Sequence, residues 1–328
     1  MRKLSLLCVG LGMGLAVGLM AGASASAQSS AGSDQPMPAP TYGVRAEIMR
    51  GGKAQAAQAV PTHAEAPAKS GYTISTADFP GADGTQVVDI ANGVLVGNFF
   101  DPLNSDVATA FTMKGGVAQQ LTIPGFNETI ALFAISTTGE MVGEASSTPF
   151  DSHSLSIIGG QASVFSPPQA ILDQATGVNA SGTIVGIYFD GSGSYGYIYS
   201  GGQFTTIAYP GSSSTSAMDI NKSGEIVGYY SVPGGFSGFL LKNGNYTSIV
   251  MPHATTTKPF GINDKGEIAG SYTDANFFMH GFLYSNGLFQ TVDVPGAQWT
   301  IITRVMNNGE LIGSYADEEN EPHAFTAR

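Results

Sequence analysis

Asp219–Tyr230 reads DINKSGEIVGYY, and the same grammar returns at Gly261–Tyr272 (GINDKGEIAGSY) and Arg304–Tyr315 (RVMNNGELIGSY). Looser copies stand at Gly177–Tyr188 (GVNASGTIVGIY), Ala134–Ala145 (AISTTGEMVGEA) and Val88–Phe99 (VDIANGVLVGNF). The glycine ending each "I-V-G" falls at 97, 143, 186, 228, 270 and 313. An apolar residue of a "G-F-L" type recurs as Phe111, Leu155, Tyr197, Phe239, Phe282 and Phe325, and prolines follow at 80, 124, 168, 210, 252 and 295. Three independent markers keep one period in the low forties. Such a period, filled with strand-like segments, predicts propeller blades.

Each repeat divides into four short strands. In the fifth these are expected over Lys258–Asn263, Glu267–Thr273, His280–Ser285 and Leu288–Val294. Asn263-Asp264-Lys265-Gly266 suits a type I turn closed by a left-handed glycine, and Asn286-Gly287 suits a two-residue primed turn. Asn243-Gly244, Gly201-Gly202, Gly159-Gly160 and Gly115-Gly116 hold the second place in other repeats. The chain enters the repeats on a fourth strand, Tyr72–Phe79, and leaves on a third, Pro322–Thr326. These two would complete one blade, removing the exposed edges of an open array. The expected architecture is therefore all-β: a six-bladed propeller of four-stranded blades over residues 71–328, closed by the N-terminal strand.

Upstream, Arg2 and Lys3 precede an apolar run over Leu4–Met20, and Ala25-Ser26-Ala27 offers a small-residue cleavage site. That is the layout of a signal peptide over residues 1–27. Residues 28–70, rich in Ala, Gln, Pro, Gly and Ser, read as a flexible linker. The only cysteine, Cys8, lies in the leader, so the exported chain holds itself together by burial without disulfides. With 13 Lys and Arg against 25 Asp and Glu, the formal net charge is −12. That balance argues against nucleic acid and anionic membranes as partners. A secreted, periplasmic or cell-surface monomer, with no integral membrane segment after cleavage, is the expectation.

The grammar "IN-x-x-G-E-I-V-G-x-Y … G-F-L-x-x-x-G-x-F-x-x-I-x-x-P-G-A", clearest in Ile220–Tyr230, Gly238–Tyr246 and Gly281–Ala297, resembles the bacterial HAF-type extracellular repeat. The first two repeats depart from it, with Ser136 in the place of Asn and Leu155 in the place of Phe. The resemblance implies an exported bacterial protein with propeller-like repeats. It brings no defined reaction and no catalytic residues.

Alternating strand direction puts both tight hairpins of a blade on one face and the longer connections on the other. Loops on a rigid scaffold commonly carry binding. Those between strands two and three are acidic: Asp101 and Asp106, Asp151, Asp190, Asp274, then Asp317 and Glu318, whereas the fourth repeat has Val232-Pro233-Gly234-Gly235. Trp299, the single tryptophan, joins them on the loop-rich face as a ring that could stack on sugar. The bland reading of the acidic loops is solvation; the sharper one is a rim for a glycan, a cation or a protein. Calcium is the cation such a rim would take, although the turns lack the D-x-[DN]-x-[DN]-G spacing. No G-x-S-x-G elbow and no Asp box occurs. The expected function is an exported, non-catalytic binding or surface-interaction module. The alternative is a glycan-acting hydrolase or lyase using paired rim carboxylates. His153, His280 and His323 are expected to bond loop backbone, and Glu140, Glu225, Glu267 and Glu310 to start strands in solvent.

Overall fold

The computed structural model describes residues 72–82, 84–101, 104–126, 129–148 and 151–328, with the backbone path alone over 101 and 104–107. The expected leader and linker lie outside the described residues. Every regular element described is a strand. The first and second repeats give β1 (Ile74–Thr76), β2 (Gly84–Ala91), β3 (Val94–Asp101), β4 (Asn104–Lys114), β5 (Val117–Gln120), β6 (Thr129–Ile135), β7 (Met141–Ser146), β8 (His153–Ile158) and β9 (Gln161–Phe165). The third gives β10 (Leu172–Val178), β11 (Ile184–Phe189), β12 (Ser194–Ser200) and β13 (Gln203–Ile207). The fourth gives β14 (Thr215–Ile220), β15 (Ile226–Val232), β16 (Gly235–Lys242) and β17 (Asn245–Ile249). β18 (Thr256–Ile262), β19 (Ile268–Thr273), β20 (Met279–Ser285) and β21 (Leu288–Val292) follow, then β22 (Trp299–Val305), β23 (Leu311–Ala316) and β24 (Pro322–Ala327). No helix among the described residues is long and apolar enough to cross a membrane.

Within each repeat consecutive strands pair antiparallel. β10–β13, β14–β17 and β18–β21 form three four-stranded sheets, and β22, β23, β24 and β1 form a fourth. The remaining strands make one eight-stranded sheet where the sequence predicts two separate blades. The cause is local: β5 covers β4 only from Phe111 to Lys114, so Thr109 is free to bridge Ile130 of β6 in parallel. On the outer edge of the last sheet Ile74 faces Ala327, and Thr73 and Arg328 exchange backbone hydrogen bonds. The architecture is all-β and propeller-like.

The recurring landmarks have one physical origin. Gly97, Gly143, Gly186, Gly228, Gly270 and Gly313 on each second strand stand opposite Phe111, Leu155, Tyr197, Phe239, Phe282 and Phe325 on each third. All six large partners are buried to 1% exposure or less. A Cβ at Gly270 would run into the Lys258 carbonyl and stand 2.7 Å from the Phe282 ring. The glycine thus opens the space that the ring fills, and each such burial contributes about 1.5–3 kcal/mol.

The tight turns have the chemistry expected of them. Asn286 and Gly287 take φ of 52° and 82°, and Gly266 takes 78°, conformations of a primed turn and a left-handed closing residue. The turn asparagines do more than turn. Asn263 Oδ1 accepts from the amides of Lys265 and Glu267, while its Nδ2 donates to the Met306 carbonyl of the next repeat. Asn221 reaches the Asn263 carbonyl and Asn179 reaches Asn221 in the same way. The glutamates after the turns are not solvated strand starts. Glu140 and Glu310 are buried, the first accepting from Ser156 and the second from Arg328, and Glu225 pairs with Lys242.

One irregularity positions the candidate site. Every first strand slips register once, between Val87 and Asp89, Leu132 and Ala134, Ala175 and Gly177, Ala217 and Asp219, Pro259 and Gly261, and Ile302 and Arg304. Such bulges re-aim side chains. The residue after each slip forms a column across the repeats: Asp89, Ala134, Gly177, Asp219, Gly261, Arg304.

Candidate functional site: two ends of one axis

Arg304 lies where all six repeats converge. Its Nη1 donates to the carbonyls of Phe260 (2.8 Å) and Thr303 (3.1 Å), and its Nη2 to those of Phe133 (2.9 Å) and Thr176 (3.2 Å). Its Nε stands 3.4 Å from Asp89 Oδ2 and 3.8 Å from Asp219 Oδ2. The two carboxylates also reach outward, Asp89 accepting the Ile135 amide and Asp219 the Ile262 amide. Gly261 makes room, since a Cβ there would stand 2.9 Å from the Arg304 Cα. Burial raises the carboxyl of Asp219 to about 6 although Arg304 opposes it, and Asp89 is raised for the same reason. Burial works against the guanidinium too, and is outweighed by Asp219 and Asp89, which hold it above its ordinary value. A planar fork saturated by carbonyls and carboxylates is a structural plug.

Above this plug is a narrow cavity of about 60 Å³, walled by Val88, Phe133, Met218, Phe260, Ile301 and Trp299. Trp299 opens β22, so it stands roughly 15 Å along the strand from Arg304, toward the loop-rich face. Its half-buried ring packs with Phe236 and Met279 against Ile187, Met218, Tyr229, Phe260 and Ile301. Tyr229 meets Phe236 edge-on at 5.4 Å and Phe260 at 6.3 Å. Over the rings of Phe236 and Tyr229 lies Lys258 Nζ, at 4.4 and 5.1 Å from their centroids. Burial without a compensating charge pulls this ammonium down to about 8.

The acidic loop residues are placed otherwise. Asp151 accepts from the amides and hydroxyls of Ser147 and Thr148, which hold its carboxyl at about 2. Asp190 accepts from Ser192 and Gly193, Asp274 from the amides of Asn276 and Phe278, and Asp317 from the Glu321 amide. Each carboxylate closes its own loop, Asp190 and Asp274 as Asx turns. Glu318 is exposed beside Asp317, and the side chains of Asp101 and Asp106 fall outside the described ones. Asp274 also holds up an exposed aromatic. Phe277, 72% exposed, takes φ 68° inside the Asp274 loop, a conformation that is unfavourable for a bulky side chain. Among the described residues no group of three or more His, Cys, Asp or Glu side chains could hold a metal ion.

His280 and His323 bond carboxylates, and His153 the Ser166 hydroxyl, where loop backbone was expected. His280 Nδ1 lies 2.8 Å from Asp293 and its ring stacks on Tyr272. His323 sits between Asp78 (2.9 Å) and Asp317 (3.3 Å), joining the two ends of the repeat region. Burial would lower the His323 imidazole, but the two carboxylates outweigh it and raise it. Between the second and third repeats Asp173 accepts from the amide and hydroxyl of Ser154, whose hydroxyl also meets Tyr197. Ser152 donates to Glu144, which burial pushes up to about 7.

Sequence reading picked out Trp299 and missed Arg304 and Lys258. A signal for Arg304 existed: its column holds one cation and two acids where the other repeats have Ala or Gly.

The chain matches no family model and no curated protein. Among solved structures it is similar to a putative TolB from Agrobacterium tumefaciens, with TM-score 0.55 at 10% identity over 74% of this chain and 89% of that one. A mutant of AofleA from Arthrobotrys oligospora gives TM-score 0.51 at 13% identity over 78% and 87%. A catalytically inactive virginiamycin B lyase from Staphylococcus aureus gives 0.49 at 11% identity over 77% and 88%. Likeness at this identity shows the fold alone, and the fold is that of a propeller.

Proposed function

We propose that the chain is an exported, non-catalytic binding propeller that takes an extracellular glycan at the axial mouth on its loop-rich face. In this reading the eight-stranded sheet is two blades joined at Thr109, giving six, and β1 on β24 closes the ring. Cleavage after residue 27 would release a secreted, periplasmic or surface protein built of HAF-type repeats. The observation that carries the reading is Trp299, half-buried in the wall of an apolar mouth beside Phe236 and Phe260. A half-buried indole packed against an aromatic cluster offers a stacking surface for the apolar face of a sugar. Arg304 lines the far end of the same cavity. Four of the carboxylates that the hydrolase alternative would draw on, Asp151, Asp190, Asp274 and Asp317, are committed to their own loop amides, and Asp151, held at about 2, is no proton donor at neutral pH.

Trp299 is the only tryptophan, so its emission reports the site directly. Titration with a panel of oligosaccharides should give a saturating change in emission with no product released. Trp299→Ala should remain folded by circular dichroism and lose binding by calorimetry. A folded Trp299→Ala that binds as the wild type does would sink the reading.

A further inference from the structure

Lys258 faces Ser271 across β18 and β19 and is half buried. Its ammonium has no hydrogen bond or ion pair to any described residue; two aromatic faces are its only company. That is unusual in a chain with 25 acids for 13 bases, where a partner for a structural lysine is easily supplied. The reason is visible in the neighbouring loop. Four other repeats place a capped aspartate between strands two and three, whereas the fourth turns through Pro233 and Gly234, with Gly234 at φ 86°. This type II turn needs no acid and leaves the aromatic wall of Phe236 beside the cation. The register position of Lys258 in other repeats is held by Gln86 and Ile301, which line the cavity, and by Gln174. Gln174 is 2% exposed and its Oε1 has no hydrogen-bond partner. Lys258 therefore sets an uncompensated cation over the rings of Tyr229 and Phe236, which belong to the same aromatic cluster as Trp299.

Resting on the glycan-binding reading, we propose that this mouth selects a sugar ring bearing a single carboxylate, with Lys258 taking the carboxylate and Trp299 the ring face. A partly desolvated ammonium gains most from an anion, because charge-assisted hydrogen bonds are the strong ones and water competes poorly there. A neutral sugar leaves the cation as it was. A long polyanion is turned away by a chain with 25 Asp and Glu against 13 Lys and Arg, so one charge is accepted and a run of charges is not.

The test compares galacturonic acid with its methyl ester, the same ring without the charge, by Trp299 emission and calorimetry on the full chain. The acid is expected to bind about tenfold tighter or more. Lys258→Met should bring the two affinities together, and Lys258→Arg should keep a preference for the acid. Equal affinities in the wild type overturn the anion inference and leave glycan binding standing. Binding of neutral oligosaccharides with no response to galacturonic acid has the same consequence. Silence toward every sugar tried overturns both.

Discussion

Arg304 and Lys258 are cations of first strands in adjoining repeats, and they could hardly be kept more differently. Arg304 is met by two carboxylates and four carbonyls, three of those from other repeats. Lys258 is met by two rings and no counter-charge. A buried charge is tolerated when it is paired and fully hydrogen-bonded; Arg304 obeys this and Lys258 does not. Matched charges hold structure together. An unmatched one marks where something else is meant to arrive.

The largest break in that contrast should come from Arg304→Met, which leaves Asp89 and Asp219 buried without a cation. A loss of about 3–5 kcal/mol is expected, measured by urea unfolding. Adding Asp89→Asn and Asp219→Asn should recover most of it; an equally large loss in the triple variant would mean that shape, not charge, is at work.

Next in size is a dependence on pH. Glu144 titrates near 4.5 when unfolded and at about 7 when folded, so between those values the folded chain holds a proton that the unfolded chain has released. Stability must then fall as pH rises across this window, by at most about 3 kcal/mol. Asp219, raised to about 6, pulls the same way, and His323, raised by its carboxylates, loses its contribution as pH climbs through its folded value. The melting temperature should therefore be higher near pH 5 than near pH 8, with Glu144→Gln flattening the difference.

The smallest effect is the most telling about Lys258. Lys258→Met removes a charge that nothing in the described chain compensates, so stability should stay level or rise by about 1 kcal/mol, the reverse of Arg304→Met. A loss of more than 2 kcal/mol would mean the ammonium is structural after all.

Much of the fold was legible because its determinants are local. Gly270 and Phe282, or Asn286 and Gly287, can be read as a pair and a turn without knowing what lies across the molecule. Asp151, Asp190, Asp274 and Asp317 were legible as a recurring column, yet recurrence there reflects the loop each one closes. Arg304 could not be found in this way, because its partners come from every other repeat and its aim depends on a bulge. Lys258 was hidden for the opposite reason: its significance is a missing neighbour, and a single sequence shows which residues are present more readily than which are not met.

The joint between β1 and β24 sets an order of events. Ile74 is among the first residues of the repeat region to be synthesised, and its partner Ala327 is among the last. Asp78 likewise waits for His323. However quickly the middle sheets form, the outer edge of the final one cannot be sealed until nearly the whole chain has emerged, and so distant a pairing is slow to find. Until then the last sheet lacks its outermost strand, and β24 presents an open edge to any strand that meets it.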